Sequence, residues 1–114
     1  MKKIFTLSLL LSIGLFASNN TFFNFKETEI KNFQKEGELI LFNPIQYLEH
    51  GDQYSLCALT VKDNKKIISM YCQPKNSINA IAADVSGIYN DNKVIIYTPL
   101  VEGVEVDTTK SMGK

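Results

Sequence analysis

The apolar residues of the chain follow three successive patterns, each typical of a different structure. Residues 4–16 are almost uniformly apolar. The segment 26–36 places Ile30 and Phe33 three positions apart among lysines and glutamates, and Gly37 follows. This spacing predicts a short amphipathic helix that ends at a glycine. Beyond this glycine, apolar and polar residues alternate over short stretches, which indicates β-strands.

The β region divides into five predicted strands separated by polar turns. Clusters of Asn, Asp, Lys, Gly and Pro mark the turns. The strands are predicted at residues 39–48, 54–61, 67–72, 80–89 and 93–98, and a short extension at 100–106. Pro44 suggests a bend in the first strand, and Gly87 marks a bulge or a close approach in the fourth. The sequence therefore predicts a small, mainly β, antiparallel domain.

The two cysteines, Cys57 and Cys72, lie on the second and third predicted strands. If residues 64–65 form the centre of the intervening turn, Cys57 lies directly opposite Cys72. A register two positions away leaves the cysteines diagonal but on the same face. The first register also pairs apolar residues on this face, namely Leu59 with Met70 and Val61 with Ile68. We therefore predict a structural disulfide, because reactive dithiols usually occur as Cys-x-x-Cys.

The order of these strands resembles that of the OB-fold. A long bent strand, a tight hairpin and a polar link precede a last hairpin at residues 85–97, which reads Val-Ser-Gly-Ile-Tyr-Asn-Asp-Asn-Lys-Val-Ile-Ile-Tyr. The resemblance covers residues 36–101 and implies a five-stranded barrel with one short N-terminal helix. The helix usual between strands three and four is missing or reduced to residues 76–80. The competing layout is a cystatin-like α+β fold, in which a helix at 27–36 packs on a four- to five-stranded antiparallel sheet.

The predicted register also defines a candidate binding face on the side opposite the disulfide. Tyr54, Leu56 and Tyr71 project there together with Ala58, and we predict that the first three contact a ligand. The OB-fold resemblance supports this assignment, because such proteins bind extended ligands across strands two and three. The alternative is that the helix or the preceding segment covers these side chains, which would then belong to the core.

The first residues have the three parts of a bacterial secretory signal peptide. Lys2 and Lys3 precede the apolar run, and the small residue Ala17 follows it. The 13 residues of this run would rise only ~20 Å as a helix, less than the ~30 Å membrane core. We expect cleavage after Ala17, a periplasmic or secreted product, and no membrane span afterwards. The predicted organisation is a signal at 1–17, a flexible leader at 18–25, one disulfide-linked β domain at 26–106 and a disordered tail at 107–114.

Charge argues against nucleic acid as the partner. Removal of 17 of the 114 residues leaves 97, with ten lysines, twelve acidic residues and a net charge of −2. The chain contains no arginine, which is the usual residue for bidentate phosphate and base contacts. We therefore expect a protein or envelope ligand.

Two titratable residues, His50 and Asp84, are candidates for chemistry. His50 is the only histidine and lies in a polar turn, without an evident nucleophile or further metal ligand nearby in sequence. Asp84 lies in an apolar stretch, but its position in the alternation points it towards solvent. We therefore predict no catalytic residue, no metal site and no cofactor.

These observations favour an exported, non-enzymatic binding module for a protein, peptide or cell-envelope ligand. The first alternative is an accessory or structural subunit of an envelope complex. In that case an aromatic docking segment, formed by Phe22, Phe23 and Phe25, would contact the partner. The second alternative is a small enzyme.

Overall fold

The computed structural model describes residues 21–106, and this part of the chain is mainly β. Nine strands form one antiparallel sheet. They are β1 (Thr21–Asn24), β2 (Glu29–Ile30), β3 (Gln34–Glu36), β4 (Leu39–Phe42), β5 (Tyr54–Lys62), β6 (Lys66–Pro74), β7 (Ala80–Asn90), β8 (Lys93–Ile96) and β9 (Leu100–Val106). A helix of one turn, α1 (Pro44–Tyr47), and a 3-10 turn (Gly51–Gln53) join β4 to β5. The predicted signal peptide and C-terminal tail lie outside the described residues.

The order of the strands in the sheet is β1-β9-β7-β6-β5-β4-β3. The long strand β7 has two different partners on one edge. Residues 80–83 pair with β9 and residues 87–90 pair with β8, which in turn carries β2. The sheet is not closed by strand pairing, although the chain itself passes from β2 at one edge to β3 at the other within residues 31–33.

The predicted helix at residues 26–36 is wrong, because this segment contains β2 and β3. Ile30 is fully buried and lies opposite Val94, whereas Phe33 packs edge-on against Tyr89. Gly37 has a φ of 61° and forms the turn of the β3–β4 hairpin. An isolated helix of this length is marginal, so pairing with both edges of the sheet outweighs it. The cystatin-like alternative, which requires this helix, is therefore wrong as well.

The predicted flexible leader is wrong over its described part. Residues 21–24 form β1 and pair with β9. Phe23 and Phe25 alternate inward and are buried, whereas Phe22 points to solvent. The signal for this strand was the two-residue period of the aromatics, which is typical of a strand with one buried face.

The first predicted strand also ends earlier than expected, because Pro44 begins helix α1. The Asn43 side chain accepts a hydrogen bond from the Ile45 backbone N–H at 3.0 Å and caps this helix. Asparagine at the cap followed by proline at the first helical position is a favourable helix start. Residues 45–48 are therefore not a continuation of β4.

The hairpin β5–β6 confirms the disulfide. Cys57 lies opposite Cys72, their Cα atoms are 4.1 Å apart, and the bond is buried. The pair Leu59–Met70 is also confirmed, but Val61 faces Ile67 instead of Ile68. The turn has three residues (63–65), with positive φ at its first two positions. Asp and Asn tolerate this conformation, and the extra residue Ile68 is absorbed as a bulge.

The core lies on the disulfide side of the sheet. Its fully buried side chains come from alternate positions of successive strands and include Ile40, Leu59, Met70 and Val94. The aromatic residues Phe23, Phe42 and Tyr47 complete it from β1, β4 and α1. Because side chains alternate along each strand, the opposite face of β4–β7 and β9 is left towards solvent.

Candidate functional site

The outer face of the sheet carries a continuous row of apolar side chains. Leu41, Ala58, Tyr71, Ala82 and Val104 lie directly opposite one another on β4, β5, β6, β7 and β9. We call these five residues the apolar strip. Neighbouring strands are ~4.8 Å apart, so the strip runs ~19 Å across the strand direction.

The apolar strip is open to solvent. Tyr71 at its centre is 42% exposed and Val104 at its end is 46% exposed. Solvent-facing positions of an antiparallel sheet are usually polar, and the adjacent row follows that rule at Thr60, Ser69 and Asp84, although it continues on β4 with the exposed Leu39. A contiguous exposed apolar surface with a polar border is typical of an interaction site.

An open groove of about 790 Å³ adjoins the strip at Leu41. Its walls are the β2–β3 connection, the end of β4 with α1, and the start of β5. The apolar residues that line it are Phe33, Leu41, Phe42, Ile45 and Leu56. Leu56 is 44% exposed and lies on the outer face, so the groove and the strip form one surface.

The predicted ligand-binding residues divide between the two faces. Leu56 and Tyr71 are on the outer face together with Ala58, but Tyr54 is 7% exposed and packs its ring 5.3 Å from Phe23. The reason is a register shift between Tyr54 and Leu56, because the successive residues Ser55 and Leu56 both face outward there. The expectation that the Tyr54 ring lies on the outer face is therefore wrong.

Tyr54 nevertheless lines the groove. No hydrogen bond to its hydroxyl occurs among the described residues, where every fully buried side-chain nitrogen and oxygen has a partner. The hydroxyl is therefore not completely sealed in the core. Burial of the ring raises the pKa of Tyr54, so the hydroxyl stays a neutral donor at physiological pH.

The polar lining of the groove is made largely of amides. These side chains are Asn32, Gln34, Asn43 and Gln46. Two of them have intramolecular contacts, since Asn43 caps α1 and Gln34 donates to Glu36 at 2.7 Å. Among residues 21–106, Lys75 is the only charged residue that lines the groove, and no acidic residue of this range does. Such a surface matches a ligand with apolar groups, hydrogen-bonding groups and an anionic end.

The residues considered for chemistry lie away from the groove lining. His50 is exposed, has a φ of 59° and precedes the 3-10 turn. Asp84 is exposed and faces outward in the polar row beside Ser69. Within residues 21–106, no cluster of three or more His, Cys, Asp or Glu side chains is placed to hold a metal ion.

The predicted aromatic docking segment does not present three rings to a partner. Phe22 is exposed on β1 opposite Glu102, whereas Phe23 and Phe25 belong to the core. Phe23 and Phe25 are therefore not exposed for docking, because the alternation of the strand turns both rings inward.

Sequence reasoning missed the groove. The sequence pattern predicts a helix for one outer wall, residues 32–34, and a strand for the other, residues 43–46, and these predictions do not bring the two segments together. The available signal was the Asn-Pro pair at 43–44, which is typical of a helix start and interrupts the strand.

Two further findings bear on the class of protein. None of the helices in the described part of the chain is long and apolar enough to cross a membrane. In comparisons with known proteins, no protein-family model, no characterised protein and no solved structure matches this chain.

Proposed function

We propose that this chain is an exported, non-enzymatic binding module that holds an extended apolar peptide segment on the apolar strip. The observation that carries this proposal is the direct pairing of five apolar side chains across five strands on a solvent-facing surface. A strip ~19 Å long accommodates about six extended residues, which rise ~3.3 Å each.

The chemistry of the surface favours a peptide. Tyr71 provides a broad apolar face at the centre of the strip, with a hydroxyl that can exchange hydrogen bonds with a backbone amide. The amide side chains at the groove end can both donate and accept, as the N–H and C=O groups of a peptide require.

Export is part of the proposal and rests on two supports. Residues 1–17 have the pattern of a signal peptide, and a structural disulfide persists in oxidising compartments outside the cytoplasm. The proposed surface includes the outer face of the second and third predicted strands, on which OB-like proteins bind ligands. An OB-like closure of the sheet remains part of the same proposal.

The accessory-subunit alternative keeps one of its three docking residues, Phe22, on the surface. This leaves a smaller aromatic contact than the strip and groove together. The binding-module hypothesis is therefore the one that we carry forward.

The test uses a defined peptide pool and chemical-shift mapping by NMR on the mature chain. The pool contains hexapeptides with a free C-terminus, Leu, Ile, Val, Phe or Ala at positions 2, 4 and 6, and Lys, Thr or Ser elsewhere. We expect shifts concentrated at Ala58, Tyr71, Ala82 and Val104. Shifts confined to other parts of the sheet, or none at millimolar peptide, would contradict the proposal.

Two exposed apolar residues give a matched pair of variants. Leu56→Thr removes an apolar side chain from the surface, and Ile68→Thr removes one with nearly the same exposure, 43%, at the bulge outside it. We expect Leu56→Thr to weaken binding by about tenfold, as loss of one buried apolar contact does. The control should stay within about twofold. An equal loss of peptide affinity in both variants would refute the position assigned to the binding surface.

A further inference from the structure

We infer that the groove is the terminal subsite of this surface and receives the C-terminal carboxylate of the bound peptide, between the ammonium of Lys75 and the hydroxyl of Tyr54. This inference rests on the proposed function and specifies which end of the ligand is recognised. It also sets the direction of the peptide, whose preceding residues run from the groove onto the apolar strip.

The charge of the groove favours an anionic group. The predicted mature chain has more acidic residues than lysines, yet Lys75 is the only charged residue in the groove lining formed by the described part of the chain. Lys75 is exposed and forms no ion pair within residues 21–106. A lone cation in an otherwise neutral groove favours an anionic group and disfavours a cationic one.

The position of Lys75 is set by the backbone. It follows the last residue of β6, and its N–H donates to the carbonyl oxygen of Gln53 at 3.0 Å. This hydrogen bond holds the start of the β6–β7 connection against the residue that precedes β5. Lys75 thereby lines the same groove as Tyr54 and Ser55.

Tyr54 independently provides a hydrogen-bond donor for a carboxylate. Its side chain is more than nine-tenths buried, lines the groove and has no hydrogen-bond partner among the described residues. A neutral phenol is a strong donor to a carboxylate oxygen. The fixed ring, packed on Phe23, makes this donor preorganised.

The apolar lining fits the last side chain of such a peptide. Ile45 of α1 is half exposed and faces the groove together with Leu41 and Leu56. Because Leu41 belongs to both the groove and the apolar strip, a chain that ends in the groove continues onto Ala58 and Tyr71 without a polar gap.

The test compares two peptide pools that are identical except at the C-terminus. One is the free-acid pool described above, and the other ends in a carboxamide. Fluorescence anisotropy with an N-terminal dye reports binding to the mature chain. We expect the acid pool to bind about tenfold more tightly than the amide pool, as one charge-assisted contact provides.

Substitutions test whether Lys75 and Tyr54 cause the preference for the acid pool. Lys75→Met should bring the two pools to within about twofold of each other. Lys62→Met, at the exposed end of β5 and outside the groove, is the matched control and should keep the preference. Tyr54→Phe should weaken the acid pool severalfold while the amide pool changes little. Thermal unfolding of each variant verifies that it folds.

The outcomes separate this inference from the proposed function. If both pools bind equally and Leu56→Thr weakens both, the binding module stands and the carboxylate subsite is refuted. If neither pool binds, both proposals fail. A preference for the acid pool that survives Lys75→Met would also overturn the assignment.

Discussion

The hydroxyl of Tyr47 accepts a hydrogen bond from the backbone N–H of Asn32 at 3.0 Å, and a longer one, at 3.3 Å, from Lys31. Tyr47 is the last residue of α1, whereas Asn32 lies between the strands that pair with opposite edges of the sheet. One side chain therefore connects the two walls of the groove, since residues of both segments line it.

We expect Tyr47→Phe to lower the free energy of unfolding by about 1–2 kcal/mol, because two backbone donors lose their acceptor while the ring stays packed on Phe42. Urea denaturation followed by circular dichroism measures this change. Tyr97→Phe is the control, because Tyr97 is largely exposed, and should change stability little. Equal effects of the two substitutions would contradict the role assigned to Tyr47.

The disulfide should contribute about 3 kcal/mol, since the two cysteines are 15 residues apart in sequence. Urea denaturation of the oxidised protein, the reduced protein and the double variant Cys57→Ala, Cys72→Ala tests this value. We expect the reduced protein and the variant to unfold at clearly lower urea concentrations than the oxidised protein. An unchanged midpoint on reduction would show that the covalent link does not limit the unfolded chain.

Two glycines of the sheet should differ in their tolerance of alanine. A Cβ at Gly87 would lie 2.3 Å from the backbone oxygen of Ile95, so the predicted close approach is confirmed at this position. At Gly103 the nearest atoms belong to the side chains of Ile81 and Phe23, at 2.7 and 2.8 Å, which can shift.

We therefore expect Gly103→Ala to cost about 1–3 kcal/mol of stability and Gly87→Ala to cost more, because backbone cannot move aside. Thermal unfolding monitored by circular dichroism gives the order of the two variants. The reverse order would indicate that β8 can move away from β7.

Stability should fall at alkaline pH through Tyr54. Burial raises the pKa of Tyr54 above 10.0, so between that value and its folded pKa the folded state binds more protons than the unfolded state. The stabilisation that Tyr54 contributes to the folded state is fully present below pH ~10 and is lost as the pH rises through the folded pKa. Urea denaturation at a series of pH values should show a steeper alkaline loss in the native protein than in Tyr54→Phe. Parallel curves would refute the assignment.

The hairpin β5–β6 was largely predictable, because its register depends on local chemistry. The turn residues 63–65, the alternation on both strands and the two cysteines all indicate one pairing. One error, at Val61, arose from a turn one residue longer than predicted, and the other is the inward position of Tyr54. The outer positions of Leu56 and Tyr71 followed from this register, whereas the bulge that turns Tyr54 inward has no local sequence signal.

The segment before Gly37 was not predictable in the same way. Ile30 and Phe33 satisfy the helical spacing and also the requirements of two strands that pair with Val94 and with β4. The choice between a helix and two strands depends on pairing with strands that are distant in sequence, so the local sequence does not determine it. The groove was missed for the same reason, because its walls come from segments whose contact depends on pairing with strands distant in sequence.

The pairing of β1 with β9 joins the first and last strands of the described chain, with Phe23 opposite Val101. This pairing encloses almost the entire domain in one loop, so the loop-closure entropy must be overcome before β1 can pair. Folding should accordingly finish here, after the hairpins of short range. A chain cut after Pro99 would leave the aromatic ring of Phe23 without its strand partner, so the integrity of the core depends on strand β9.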